Sequence, residues 1–137
     1  MPGVAFAAEP IAVVVGPRSK TSSLDAAQLR RIFLGRITPS PDGGQFRPLN
    51  LEKGDSLRVA FDKQVLGYDP AEVERYWIDQ RIRGNKAPRH VDSEVVPLLL
   101  QKVPGTISYL PASAAKHLKV VAIDGKLPGQ AGYLLAG

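Results

Sequence analysis

Cysteine is absent from this sequence of 137 residues. The chain can therefore form no disulfide and has no thiolate nucleophile or cysteine metal ligand, and cysteine usage assigns no redox compartment. Long apolar stretches are missing as well. The longest candidates, Ile11 to Val15 and Val95 to Leu100, fall far short of the roughly 20 residues that span a bilayer. The sequence therefore predicts no membrane insertion.

Motifs for catalysis and metal binding are also lacking. The two histidines, His90 and His117, have no second ligand at metal spacing, and no P-loop, GxGxxG or GxSxG motif occurs. No pair of acids lies in a motif that would separate the roles of general acid and general base. We therefore expect no enzyme activity, no metal site and no cofactor.

Basic residues outnumber acidic ones, with 18 Lys and Arg against 13 Asp and Glu and a net charge of +5. Such an excess raises the question of nucleic-acid binding. However, Arg30-Arg31 is the only basic doublet, and no aromatic side chains alternate with the cations as a base-stacking surface requires. The pattern predicts a solvated basic surface with mild attraction for anions and no nucleic-acid partner.

The length suits one domain, and a composition of 44% hydrophobic and 23% charged residues is that of an ordinary globular protein. The first residues differ, because Ala5-Phe6-Ala7 matches the small-x-small end of a secretory signal peptide. We interpret residues 1–7 as a signal-peptide remnant or a disordered start that packs against nothing, and residues 8–137 as a single domain. The corresponding expectation is a periplasmic or secreted protein.

Strand and helix patterns alternate along the chain. Strands are predicted at Pro10–Val15, around Leu49, at Thr106–Leu110, at Lys119–Ile123 and, as an edge strand, at Tyr133–Leu135. Helices are predicted to begin at Asp25, at Asp55 or Ser56, at Asp69 and at Asp92 or Ser93, with a short helix over 112–118. The segments TPSPDGGQ and NKAPRH are predicted to be loops. Because most crossovers between strands are helical, we expect an α/β fold with a mixed sheet.

The stretch from Arg47 to Leu66 combines a strand, a tight loop and a helix. Lys53-Gly54 interrupts the apolar run just before Asp55 or Ser56, either of which can cap the helix. Unpaired N–H groups and a partial positive charge at a helix N-terminus favour an anion. From these residues two alternatives stay open: an anion site, or a plain helix cap that Asp55 satisfies internally.

The order of several motifs resembles the phosphate-binding solute receptors of bacterial ABC importers, which have the type 2 periplasmic-binding fold. The matching segments are AVVV at 12–15, LDAAQLRRIFLGRI at 24–37, KGDSLRVAFDKQVLG at 53–67, YW at 76–77, PGTISYL at 104–110, and IDGKLPG with GYLL near the end. Full receptors of this family have two lobes, whereas this chain matches one lobe plus the terminal strand. The resemblance implies one lobe of that fold, with a mixed, mostly parallel sheet and helices on both faces.

The resemblance also implies where a ligand would bind. The family's phosphate loop runs Arg-x-x-x-Ser-Gly-Thr before its helix, and this sequence has Asn50 at the Arg position and Gly54-Asp55-Ser56 at the other three. A carboxylate at Asp55 would repel a dianion, although related receptors use an Asp to accept a hydrogen bond from protonated phosphate. The candidate ligand residues are Asn50, Gly54, Asp55, Ser56 and Arg58.

Two functions stay open from the sequence. The first is an extracytoplasmic solute-binding-type protein that takes phosphate or another small oxyanion near residues 54–58, weakly, because a lone lobe leaves the ligand facing solvent. The second is a ligand-free interaction module of the same fold that docks on a membrane transporter, a sensor or an envelope partner. Arg58 has its own alternative role, as a solvated partner of Asp62 four residues on.

Overall fold

The structure, a computed structural model, describes residues 9–136. The strands are β1 (Ile11–Val15), β2 (Ser23–Leu24), β3 (Arg47–Leu51), β4 (Arg89–Val91), β5 (Thr106–Pro111) and β6 (Lys119–Ile123). The α-helices are α1 (Ala26–Phe33), α2 (Ser56–Phe61), α3 (Pro70–Ile82) and α4 (Val96–Lys102). A π-helical turn, Asp62–Leu66, continues α2 without a break. The expectation about residues 1–7 lies outside the described residues.

The strands form one sheet in the order β2-β6-β1-β5-β3-β4. β1 is antiparallel to both of its neighbours, β5 and β6, and the other pairings are parallel. Five strands of this sheet therefore run in one direction, and β1 runs in the other. The four apolar strands expected from the sequence all lie in this sheet, and the predicted mixed, mostly parallel α/β fold is confirmed.

Helices cover both faces of the sheet. On one face, the ring of Tyr109 in β5 stacks on Phe61 of α2 with the ring centroids 3.7 Å apart, and it meets Phe33 of α1 edge-on. Thr106 lies an odd number of positions from Tyr109 in β5, so its side chain points to the opposite face. There it lines a groove with Leu99 of α4. The apolar core thus occupies both faces, and β1 at the centre is buried along its whole length.

The helices begin at the acids that the sequence indicates. Asp25 and Gln28 form a capping box at α1, and Asp69 and Glu72 form another at α3. At α2 the N-cap is Asp55, whose carboxylate accepts from the Leu57 N–H. Asp92 caps a short 3₁₀ turn, Ser93–Val95, before α4 begins. Pro97 lies in the first turn of α4, the part of a helix that tolerates proline, and α4 begins just before it.

Three local predictions are wrong. Arg89 and His90, predicted to be loop, belong to β4, which pairs with β3 at the edge of the sheet. Both residues are exposed, so the strand has no apolar pattern that the sequence could show. The segment Tyr133–Leu135 makes no ladder, because only the isolated bridge between Pro10 and Ala136 forms there. The helix expected over 112–118 is a 3₁₀ turn, Ala112–Ala115. No helix within residues 9–136 is both long enough and apolar enough to cross a membrane.

Candidate functional site

Acidic residues lie at the edge of the sheet where the five parallel strands end. In open α/β sheets this edge is where ligands bind, because the loops and helix N-termini that follow the strands meet there. Since β1 runs the other way, its beginning lies at the same edge. We call this surface the carboxyl edge, and six of its acids are Glu9, Asp25, Glu52, Asp55, Asp92 and Asp124.

Three of these acids cap the helical segments that start at the carboxyl edge. Asp25 accepts from the Gln28 N–H at 2.7 Å, Asp55 from the Leu57 N–H at 2.8 Å, and Asp92 from the Glu94 N–H at 2.9 Å. An N–H group at a helix N-terminus is the donor that a bound oxyanion would use. The chain's own carboxylates already occupy one such donor at each of these three starts.

Two further acids bind backbone N–H groups from distant parts of the chain. Asp124 accepts from the Ala26 N–H, also in the first turn of α1, at 3.0 Å, and Glu9 accepts from the Ser113 N–H at 2.6 Å. Hydrogen bonds from Ser113, those of its side chain first, lower the pKa of the Glu9 carboxyl. The carboxyl edge is therefore anionic at neutral pH, and its charges are tied to the backbone.

The loop predicted to hold phosphate lies at the carboxyl edge and faces solvent. Gly54 and Ser56 are exposed, and Asp55 between them is partly exposed. A side chain at Gly54 would meet no atom within 4 Å, and the backbone there does not require glycine. Gly54, Asp55 and Ser56 are thus brought together at an open surface, with the Asp55 carboxylate already bound to Leu57.

Asn50, the fourth predicted ligand residue, lies inside the core. The residue is only 4% exposed. The amide oxygen accepts from the Tyr109 hydroxyl and from the Leu51 N–H. Burial raises the pKa of Tyr109, so the hydroxyl stays protonated and keeps this bond. The structure therefore gives Asn50 a role in holding β3 to β5, beneath the loop.

Arg58 is the fifth predicted ligand residue, and it is buried together with Asp62. The Arg58 Nε atom lies 3.3 Å from Asp62 Oδ2, and the residues are 7% and 5% exposed. Arg58 also donates to the Leu51 carbonyl at 3.1 Å. The sequence indicated this pair, but the expectation that it is solvated is wrong, because α2 and its π-helical turn pack that side of the helix against the sheet. Two N–H groups of the guanidinium are therefore already bound within the protein.

Sequence reasoning missed a pair at the carboxyl edge. Glu52 and His90 approach to 2.6 Å, and both side chains are 54% exposed. The pair depends on β4 lying next to β3, so recognising β4 as a strand would have placed it. Within residues 9–136 no group of three His, Asp or Glu side chains could hold a metal ion.

The fold of this chain is similar to that of solved bacterial receptors. A phosphate ABC transporter substrate-binding protein with bound phosphate, from Clostridium perfringens, superposes with a TM-score of 0.69 at 22% identity, over 89% of this chain and 48% of that one. This chain has the fold of half such a receptor. An ABC-type phosphate transport receptor from Vibrio cholerae and PstS from Borrelia burgdorferi give the same TM-score, 0.69, at 15% and 16% identity.

The match to these receptors covers 91% of this chain in the last two cases, and only 50% and 51% of theirs. The chain therefore spans about half the length of the receptors it matches. At these identities the likeness establishes the fold alone. Neither a scan against protein-family models nor a search of curated proteins found a match.

Proposed function

We propose that this protein is an interaction module with the fold of half a solute receptor, that it holds no oxyanion at the loop before α2, and that its carboxyl edge docks on a protein partner in the cell envelope. The observation that carries the proposal is that resident carboxylates already bind the backbone donors at this edge. Asp25, Asp55 and Asp92 each accept from one N–H of a helix start and place a negative charge where an oxyanion would bind. Arg58, the one cation among the predicted ligand residues, forms an ion pair with Asp62.

The charge of the carboxyl edge supports a basic partner. Six of the chain's 13 acids lie at the carboxyl edge, although the whole chain carries a net charge of +5. Lys53, Lys116 and Lys126 lie near these acids in the structure or the sequence and offset only half of them. A basic surface would be attracted to this edge, whereas the same edge of a second copy would be repelled. We therefore expect a basic transporter or sensor surface as the partner, not self-association edge to edge.

Weak phosphate binding is the second candidate function, and one observation favours it. The Clostridium perfringens protein of the same fold contains bound phosphate, and here the loop Gly54–Ser56 lies open to solvent ahead of α2. A phosphate at this loop would contact the backbone of Gly54, Asp55 or Ser56. Without a second lobe to enclose it, each ionic contact would contribute about 0 to 1 kcal/mol, so binding would be weak.

The experiment compares two triple variants of equal charge. In the first, Asp25, Asp55 and Asp92 are replaced by Asn, which keeps the helix caps because Asn caps as well as Asp. Envelope membranes from the native host should retain the wild type and release this variant. Retention of both proteins to the same extent would contradict the proposed docking edge.

The control triple variant replaces Asp42, Asp69 and Asp79 by Asn, three exposed acids that lie away from the carboxyl edge. It loses three negative charges, as the edge variant does, so it reports any general effect of net charge on membrane retention. It should behave as the wild type does. Release of the control together with the edge variant would assign retention to net charge and would refute a specific edge.

Two coarser properties accompany the proposal. The structural neighbours are binding proteins, and we propose that this chain likewise has no enzyme activity. An extracytoplasmic location is the setting in which a module of this fold would meet a transporter or sensor. Fractionation of native host cells tests the location, and recovery of the protein in the cytoplasmic fraction alone would contradict it.

A further inference from the structure

A concave surface lies beside the loop Gly54–Ser56. It is a cleft of about 400 Å³ between α2 with its π-helical turn, α3 and the segment that leads into β4. We call it the α2–α3 cleft. Its volume lies in the range of pockets that enclose small organic ligands.

The walls of the α2–α3 cleft are largely apolar. Val73 and Trp77 of α3 are each 6% exposed and line it together with Val59 of α2. Pro70 and Pro88 also line it. The Arg58–Asp62 ion pair forms part of the wall, and its two charges largely cancel there. A ligand seated in the cleft would therefore place an apolar body against Trp77.

Two exposed cations lie at the rim of this cleft. Lys53 and Arg81 are exposed and make no ion pair among the described residues. Glu74 is the exposed acid of the rim. It lies two helical turns from Arg81, about 10 Å along α3, so these two side chains are too far apart to form an ion pair. The exposed rim therefore has two positive charges and one negative charge, besides His90, which contacts Glu52.

The helical spacing places one of these cations next to the apolar wall. Arg81 follows Trp77 by four residues, so both side chains lie on the same face of α3. A ligand that packs on Trp77 would bring a charged group at one end of its body within reach of Arg81. We propose that the α2–α3 cleft binds a small amphipathic monocarboxylate, with its aromatic or branched apolar body against Trp77 and its carboxylate between Arg81 and Lys53.

The test uses phenylacetate as the probe and phenylacetamide as its uncharged match. Trp77 is the only tryptophan of the chain, so its fluorescence reports binding in this cleft, and calorimetry detects binding that leaves the fluorescence unchanged. Phenylacetate should give a saturable change, and phenylacetamide should bind more weakly. Replacing Arg81 or Lys53 by Gln should weaken phenylacetate binding roughly two- to fivefold each, the range for exposed ion pairs.

Arg75→Gln is the matched control, because Arg75 is an exposed arginine of the same helix that does not line the cleft. Its affinity for phenylacetate should equal that of the wild type. The proposal is overturned if phenylacetate gives neither a saturable fluorescence change nor heat. It is also overturned if the acid and the amide bind equally, or if R75Q weakens binding as much as R81Q does.

Discussion

Replacing Asp55 with Asn should strengthen phosphate binding at the loop before α2. The substitution keeps the cap, because the Asn side-chain oxygen can still accept from the Leu57 N–H that Asp55 binds at 2.8 Å. It removes one negative charge about 4 Å from where a phosphate on the neighbouring N–H groups would lie. At this exposed site two unit charges at that distance repel by about 1 kcal/mol. Phosphate carries between one and two charges, so the gain is about 1 to 2 kcal/mol, or roughly 5- to 30-fold in affinity.

Isothermal titration at fixed ionic strength measures this effect. The wild type should show millimolar affinity or no heat, and D55N should bind measurably more tightly. Sulfate is the control anion, because at neutral pH it has no proton to donate. Loss of phosphate binding in D55N, with sulfate unaffected, would mean that Asp55 accepts a hydrogen bond from protonated phosphate, and it would refute the repulsion argument. Submillimolar phosphate binding by the wild type would refute it as well.

Three further predictions concern the fold. Asp62→Ala should destabilise the protein by about 3 to 5 kcal/mol in urea denaturation, because it removes the oxygen that accepts from the buried Arg58 guanidinium, an acceptor that protonated Asp62 keeps, whereas the double replacement R58M/D62L should be close to neutral. Carboxyl NMR titration should find the pKa of Asp62 above 3.8, because burial raises it, and that of Asp42 below 3.8, because hydrogen bonds from Ser19 lower it. Acidification through the Asp62 pKa should therefore stabilise the fold, and further acidification through the Asp42 pKa should remove stability that is present at higher pH. Gly35→Ala should cost more than 1 kcal/mol in the same denaturation assay, because φ is +78° and the new Cβ would lie 2.9 Å from the Trp77 ring, whereas Gly43→Ala, with φ of +90° and no neighbour within 4 Å, isolates the backbone contribution.

Much of the fold could be predicted because its signals are local. The capping boxes at Asp25 and Asp69 depend on residues three positions apart, and the β-branched run at Ile11–Val15 identifies a buried strand from its own composition. β4 could not be found in this way, since two of its three residues are exposed and only its pairing with the distant strand β3 defines it. The π-helical turn after α2 likewise leaves no pattern that distinguishes it from an α-helix.

The candidate site shows the same division. Asp55 was predicted as a cap, and its spacing to α2 suffices for that. That the edge acids lie together can be predicted only when the strand directions are known. Glu9 and Asp124, for example, bind partners 104 and 98 residues away. For Arg58, the sequence indicates the partner Asp62 but not the burial of the pair, which depends on how α2 packs on the sheet. Of the two alternatives that the sequence leaves open at this loop, an anion site and a helix cap that Asp55 satisfies internally, the structure shows the cap.

Site-specific photo-cross-linking in native host cells tests the docking edge most directly. A photoreactive residue at Ser56 samples the carboxyl edge, and one at Arg18, exposed just beyond the end of β1, samples the opposite edge. The account predicts one discrete protein adduct from position 56, its loss when Asp25, Asp55 and Asp92 are replaced by Asn, and no such adduct from position 18. The same adduct from both positions, or none from position 56, would contradict the account.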